Sequence, residues 1–239
     1  MSSIPSNRNL SRRSLLNFLG IGTLATSLGL DLLQKRPAEA ATLSADAALK
    51  QLMAGNQRYT AGQSISPDRG LERITSLAQS QAPVAVILGC ADSRVPPEVI
   101  FDQGLGSLFT IRVAGNIVDD ANLGSIEYAV ESLNVKLVVV LGHERCGAVT
   151  AALNALTTGT HLPGHLEALT KAIEPAIVQA QAEQSDNNLL DRAVRANIRS
   201  VVRTLSSSQP LLARRVAQKK LKIVGGHYDL DSGAVEMIT

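Results

Sequence analysis

Soft metal ligands stand in two short runs of this 239-residue sequence. Cys90 follows one apolar stretch, and His143 and Cys146 follow a second one further along the chain. Two thiolates and an imidazole are ligands that suit zinc, and three protein ligands leave a fourth tetrahedral position open for water. Because an open position separates catalytic from structural zinc, these residues predict a catalytic zinc site.

The two apolar stretches would position these ligands. Residues 84–88 lead through a glycine into Cys90, and residues 137–141 lead through another glycine into His143. Continuous apolar runs of this length are typical of buried parallel strands. Because the carboxyl ends of parallel strands meet at one edge of a sheet, the two runs would bring Cys90 and His143 to the same edge. That edge is where ligands usually bind in open α/β sheets.

A disulfide between the two cysteines is the alternative if the chain is exported, because cysteine pairs in exported proteins are commonly oxidised. Asp92 and Arg94 stand beside Cys90 in the sequence. A disulfide requires neither His143 nor an ion pair at the same edge of the sheet. This context favours the metal site over the disulfide.

A longer pattern surrounds the predicted ligands. The sequence reads Cys-Ala-Asp-Ser-Arg from Cys90 and Gly-His-Glu-Arg-Cys-Gly from Gly142. This pair of motifs resembles the signature of the β-class carbonic anhydrases, and the similarity covers nearly everything after residue 45. Further similar segments begin at Gly55, Arg112, Ser125, Leu221 and Tyr228.

The resemblance implies a role for each residue of the two motifs. Cys90, His143 and Cys146 would hold one zinc ion per chain. Zinc would lower the pKa of a bound water to about 7, a value for which carbonic anhydrase itself is the reference case. Asp92 would orient the hydroxide that attacks carbon dioxide. Arg94 would pair with Asp92, keep it ionised and hold it away from the metal.

Residues around the metal distinguish subtypes of this family. Gln81, Phe109 and Tyr128 are similar to the Gln, Phe and Tyr that line the pocket of the plant-like subtype, partly from a neighbouring subunit. The allosteric bacterial subtype carries Trp three residues before its first cysteine, where this chain has Ile87 and no Trp at all. The resemblance therefore indicates the plant-like subtype. Ordinary packing at strand edges and in the core is the alternative explanation for the three side chains.

The first forty residues resemble a twin-arginine export signal. The Arg12-Arg13 pair precedes a mildly apolar run at 18–30, which is too short and too weakly apolar for a stable membrane span. Small residues at the end of the segment offer a cleavage site, and an uncleaved N-terminal anchor is the alternative. We expect residues 1–40 to be a signal peptide for the twin-arginine export machinery and residues 41–239 to form the catalytic domain.

The predicted export route fits the predicted metal site. Twin-arginine export carries folded, cofactor-loaded proteins, and two neighbouring cysteines could oxidise if they reached an oxidising space without zinc. We expect the periplasm as the destination, with the thylakoid lumen as the second candidate. These two destinations are implied by the resemblance of this chain to exported β-class carbonic anhydrases of cyanobacteria.

Length and charge fit one enzyme domain. About two hundred residues remain after the signal, enough for a single α/β domain with a full hydrophobic core. The chain carries 23 basic and 21 acidic residues, and this balance gives no nucleic-acid footprint. We expect a mainly parallel central sheet flanked by helices. The predicted strands are 84–88, 107–113, 137–141 and 222–227, and the predicted helices are 45–60, 125–133, 146–156, 164–184 and 189–205.

The predicted reaction is the reversible hydration of carbon dioxide to bicarbonate and a proton. Hydrolysis of carbonyl sulfide or carbon disulfide at the same site is one alternative, because related folds act on these linear isosteres. A non-catalytic zinc-bearing assembly or a bicarbonate sensor is another, although neither requires the Asp92–Arg94 pair. The resemblance also implies a homodimer or a higher homo-oligomer, in which an N-terminal helical arm at 45–59 embraces the partner.

Overall fold

The computed structural model describes residues 43–183 and 188–238. The segment predicted to be an export signal, residues 1–40, lies outside the described residues. Among the residues that are described, no helix is both long enough and apolar enough to cross a membrane.

A five-stranded sheet forms the centre of the domain. The strands are β1 (Ala85–Gly89), β2 (Leu108–Arg112), β3 (Leu137–His143), β4 (Lys222–Tyr228) and β5 (Val235–Met237). They lie in the order β2-β1-β3-β4-β5, with the first four parallel and β5 antiparallel to β4. Strands β1 and β3 are interior, and all of their residues are buried. This burial explains why both sequences are continuous apolar runs.

Helices connect the strands and cover the sheet. They are α1 (Ala45–Thr60), α2 (Leu71–Leu77), α3 (Pro97–Ile100), α4 (Asp120–Glu131), α5 (Gly147–Thr158), α6 (Leu166–Ala182), α7 (Leu189–Ser207) and α8 (Leu212–Ala217). Helix α7 packs on β3 and β4, and α6 packs on α7. The α/β class with a mainly parallel sheet is therefore confirmed.

Helix α1 packs on its own domain. Leu52 is fully buried, and Gly55 lies so close to Phe101 that a Cβ atom at residue 55 would overlap the Phe101 carbonyl oxygen. The Asn56 side-chain amide donates to the Gly233 carbonyl at 2.9 Å. One face of the region predicted to be an arm is thus anchored in its own chain, and only the opposite face is exposed.

The predicted strands and long helices are confirmed to within a few residues, with two informative differences. Strand β3 continues to His143, because its ladder with β4 extends until His143 lies opposite Tyr228. Helix α4 begins earlier than predicted, at Asp120, because the Asp119 side chain caps it by accepting from the Asn122 N–H at 2.8 Å. The short elements α2, α3, α8 and β5 were not predicted, since so few residues carry little periodic signal.

Candidate metal centre

The three predicted metal ligands meet at the carboxyl edge of the sheet. Cys90 directly follows β1, His143 is the last residue of β3, and Cys146 immediately precedes α5. The two strands are adjacent and parallel, with Gly89 opposite Leu141, so their ends lie side by side. All three side chains are buried.

The distance between the two sulfur atoms distinguishes a metal site from a disulfide. Both cysteines are free, and the Sγ atoms of Cys90 and Cys146 lie 3.9 Å apart. A disulfide bond is about 2.05 Å long. Two sulfurs at about 2.3 Å from one tetrahedral zinc ion are separated by about 3.7 Å. The ligand atoms of Cys90, His143 and Cys146 all lie within 4.8 Å of one another, so the three residues could hold a metal ion.

The His143 ring presents a lone pair to this cluster. Its Nδ1 donates to the Glu144 carbonyl oxygen at 2.8 Å, which leaves Nε2 as the unprotonated nitrogen of a neutral ring. Nε2 is buried and has no hydrogen-bond partner among the described residues. A buried nitrogen without a partner is costly in a folded protein unless another species, such as a metal ion, satisfies it.

Of the two thiols, Cys90 ionises readily and Cys146 does not. The Cys146 thiol lowers the pKa of Cys90, helped by His143 and by the Gly115 N–H, which donates to the Cys90 sulfur at 3.3 Å. The same contact, together with burial, raises the pKa of Cys146. Two buried thiolates side by side repel each other strongly, so both cysteines can ionise only beside a cation. The donor set therefore fits a divalent metal ion.

Asp92 and Arg94 form an ion pair beside the ligands. The Arg94 guanidinium donates to both carboxylate oxygens of Asp92, at 2.9 Å from Nε and 2.8 Å from Nη2. This contact holds the pKa of Asp92 well below its usual range. The Oδ2 atom of Asp92 lies 3.9 Å from Nε2 of His143. Arg112 keeps the loop in place by donating to the backbone carbonyls of Cys90 and Asp92.

A second set of contacts holds the loop between His143 and Cys146. Arg145 adopts a positive φ of 49°, and its guanidinium makes two hydrogen bonds, at 2.8 and 2.9 Å, to the exposed carboxylate of Asp231. Glu144 accepts a hydrogen bond from the Leu230 N–H at 3.2 Å. The ligand loop is thus tied to the turn between β4 and β5. Sequence reasoning missed this link, because residues so far apart in the chain carry no spacing signal.

One chain does not bring the predicted pocket residues to the metal ligands. Gln81 is exposed and precedes β1, at the end opposite to Cys90. Phe109 lies opposite Val86, about 13 Å along the strand direction from Cys90 at 3.3 Å per residue. Phe109 and Tyr128 contact each other, with ring centroids 6.2 Å apart, beside the edge strand β2.

Comparisons with known proteins identify the family of the chain. A family model described as carbonic anhydrase matches residues 85–235, which is more than half of the chain. Carbonic anhydrase 2 of Mycobacterium tuberculosis is 43% identical over 187 residues, covering 78% of this chain and 89% of the relative. A solved β-carbonic anhydrase of Aspergillus fumigatus aligns with a TM-score of 0.63 and 29% identity, covering 80% of this chain and 90% of that one. The chain belongs to the β-class carbonic anhydrases.

This carbonic anhydrase also resembles the carbonic anhydrase of Mycolicibacterium smegmatis, at 42% identity over 80% of this chain and 92% of the relative. Its reaction is the reversible hydration of carbon dioxide to bicarbonate and a proton, the activity of a carbonate dehydratase. The cluster of Cys90, His143 and Cys146 at the carboxyl edge of the sheet could hold the metal ion that this reaction uses.

The link between Arg145 and Asp231 predicts an effect on metal affinity. Replacing Asp231 by Ala should weaken zinc binding about 10-fold, because contacts that support a ligand loop typically contribute that much or more to metal affinity. The measurement is competition against a chromogenic chelator. Glu167→Ala is the matched control, since it removes a partly exposed carboxylate that pairs with Lys171 on α6, away from the ligand loops. Equal zinc affinity in the Asp231→Ala variant and the native chain would contradict the supporting role.

Proposed function

We propose that Cys90, His143 and Cys146 hold one catalytic zinc ion per chain. The observation that carries this proposal is the 3.9 Å separation of two free sulfurs beside the buried, unpartnered Nε2 of His143. Thiolate and imidazole ligands suit zinc, and two thiolates would neutralise its double charge in a buried position. When bound, zinc supplies Lewis acidity that ionises water near neutral pH, as carbonic anhydrases themselves exemplify.

Asp92 has the geometry to manage the proton of the attacking water. Its Oδ1 receives two hydrogen bonds from Arg94, whereas Oδ2 receives one and keeps a lone pair on the side of His143. Because Arg94 lowers the pKa of Asp92, the carboxylate stays ionised and acts as an acceptor throughout the neutral range. Oδ2 would accept the hydrogen bond from the nucleophile and thereby direct the oxygen lone pair at carbon dioxide.

Arg94 would act by restraining Asp92. A guanidinium that binds both carboxylate oxygens fixes the plane and position of the carboxylate, which a single hydrogen bond would not do. Without that restraint, the nearby carboxylate could approach the cation and occupy the position needed for water. Arg94 is therefore proposed as a positioning residue for Asp92.

The Asp92→Asn variant tests this division of roles. It should retain zinc, because all three ligands remain, and lose about 100-fold or more in kcat/KM, because the amide cannot replace the charged acceptor. Stopped-flow hydration of carbon dioxide and metal analysis are measured on the same preparation. Asp120→Asn, an exposed carboxylate in the first turn of α4, is the control. A native hydration rate in the zinc-loaded Asp92→Asn variant would refute the role.

We propose that a second copy of the chain covers the β2 side of the domain. Helix α2 has no buried residue, and Leu71 and Ile74 in it are 81% and 52% exposed. Arg73 of this helix donates to the Leu105 carbonyl just before β2, so the exposed apolar helix lies at the start of the edge strand. Exposed apolar surface beside an unpaired strand edge is typical of an interface.

Contact with a second copy of the chain would also bring the residues typical of the plant-like subtype to the pocket. Phe109 and Tyr128 lie on this side of the domain, and Tyr128 is half exposed. Since Gln81, Phe109 and Tyr128 do not reach Cys90 within one chain, we propose that the partner supplies part of this set. The resulting species would be a homodimer or a larger homo-oligomer, in which the exposed face of α1 is also available to the partner.

Replacing apolar or aromatic residues on this surface by arginine tests the interface. Ile74→Arg and Tyr128→Arg should each shift the protein toward monomers, because a buried unpaired guanidinium is costly at an interface. Val178→Arg on α6 is the control, since Val178 is 53% exposed and lies on a different helix. Light scattering coupled to size exclusion measures the mass. Unchanged oligomers in both interface variants would exclude this surface.

We propose that the N-terminal segment is a twin-arginine signal that exports the chain to the periplasm, with the thylakoid lumen as the alternative destination. The support is the Arg12-Arg13 pair before a mildly apolar run. The two free sulfurs at 3.9 Å give a physical reason for loading zinc before export, because an empty site in an oxidising space could close to a disulfide.

Replacing Arg12 and Arg13 by Lys tests the export proposal. The variant should accumulate in the cytoplasm as uncleaved, active precursor, because zinc insertion precedes transport and does not depend on it. Fractionation with an activity assay in each compartment makes the measurement. The native signal serves as the control, and continued export and cleavage of the Lys-Lys variant would show that another route is used.

A further inference from the structure

A cleft of about 780 Å³ opens at the edge of the sheet opposite to the metal centre. Its walls are the start of α1, the turn between α4 and β3, and the turn between α8 and β4. Strand β3 begins at this cleft with Leu137 and ends at the metal centre with His143. At about 3.3 Å per residue, the length of β3 separates the two sites by about 20 Å.

The walls of the cleft concentrate positive charge. One acidic residue, Asp46, lines it together with five basic residues. The whole chain is nearly balanced, with 23 basic and 21 acidic residues, so this local excess is not a property of the general surface. The basic residues are Lys136, Arg215, Lys219, Lys220 and Lys222.

Only part of this charge is neutralised by the protein. Glu131 binds the Arg215 guanidinium through two hydrogen bonds, and Asp46 pairs with Lys222 at 2.7 Å. Lys219 and Lys220 are exposed and make no ion pair within the described part of the chain. Their charges are therefore available to a ligand.

The floor of the cleft is apolar. Val130, Val135 and Leu221 line it and are themselves buried. A cleft with an apolar floor and a cationic rim is complementary to a molecule that has both a carbon framework and several negative charges. Inorganic phosphate would use only the rim of such a site.

We propose that this cleft binds an organic phosphate ester carrying at least two phosphoryl groups. Its volume falls in the range of about 300–1,000 Å³ typical of small-molecule sites, and its concave form suits a small molecule better than a flat anionic membrane. The phosphoryl groups would contact Lys219 and Lys220, and the carbon framework would rest on the valine and leucine floor. This inference is independent of the zinc centre.

Binding of adenosine triphosphate to the full-length holoenzyme, measured by isothermal titration calorimetry without added divalent cations, tests the proposal. The double variant Lys219→Asn/Lys220→Gln removes both charges, and Asn is chosen because residue 219 has a positive φ of 56°, which Asn tolerates. The affinity should fall about tenfold, the effect expected for two exposed charge contacts. The matched control is Lys171→Gln/Arg203→Gln, which removes two charges on α6 and α7.

Three comparisons complete the test. Adenosine should not bind, tripolyphosphate should bind more weakly than adenosine triphosphate, and vesicles containing anionic phospholipid should show no binding that depends on Lys219 and Lys220. Carbon dioxide hydration should be the same in both double variants. Absence of saturable binding, an equal loss in the control variant, equal affinity for tripolyphosphate, or lysine-dependent binding to vesicles alone would each overturn the proposal.

Discussion

Two buried sulfurs and one buried imidazole nitrogen must share a space in which no two ligand atoms are more than 4.8 Å apart. Without a cation, this arrangement can carry one thiolate but not two, because the first negative charge raises the pKa of the second thiol. A divalent ion removes that conflict and also satisfies the unpartnered nitrogen of His143. The loops that follow β1 and β3 must therefore hold the three ligand atoms where a single cation can contact all of them.

Parallel strand pairing brings the ligands together, and the loops then refine their positions. Gly89 lies opposite both Leu141 and Arg112, so three adjacent strands end near one another. Arg112 uses this position to hold the carbonyls of the loop that follows Cys90. On the other side of the site, the contact between Arg145 and Asp231 ties the second ligand loop to the turn between β4 and β5. The sheet supplies proximity, and these arginines supply orientation.

The sequence allowed prediction of those features that depend on local composition. Apolar runs identified the strands, and the residues that follow them identified Cys90 and His143 as neighbours. The full length of β3 was underestimated, because the pairing of His143 with Tyr228 is a property of two strands and not of one. The Arg145–Asp231 link was missed for a similar reason.

The predicted pocket residues show a different limit. Gln81 and Phe109 were assigned through resemblance to the family, and a single chain leaves both away from Cys90. Their proposed role depends on a second chain, whose position no local pattern specifies. Composition also concealed the basic cleft, since a nearly neutral chain gives no sign that its lysines gather at one edge of the sheet.

X-ray absorption at the zinc edge on the purified holoprotein tests the central claim most directly, because it reports the atoms that surround the metal. The account predicts two sulfur neighbours at about 2.3 Å and nitrogen or oxygen neighbours at about 2.0–2.1 Å, with one sulfur lost in Cys146→Ser. A shell made only of nitrogen and oxygen, or a sulfur signal unchanged by that substitution, would contradict it.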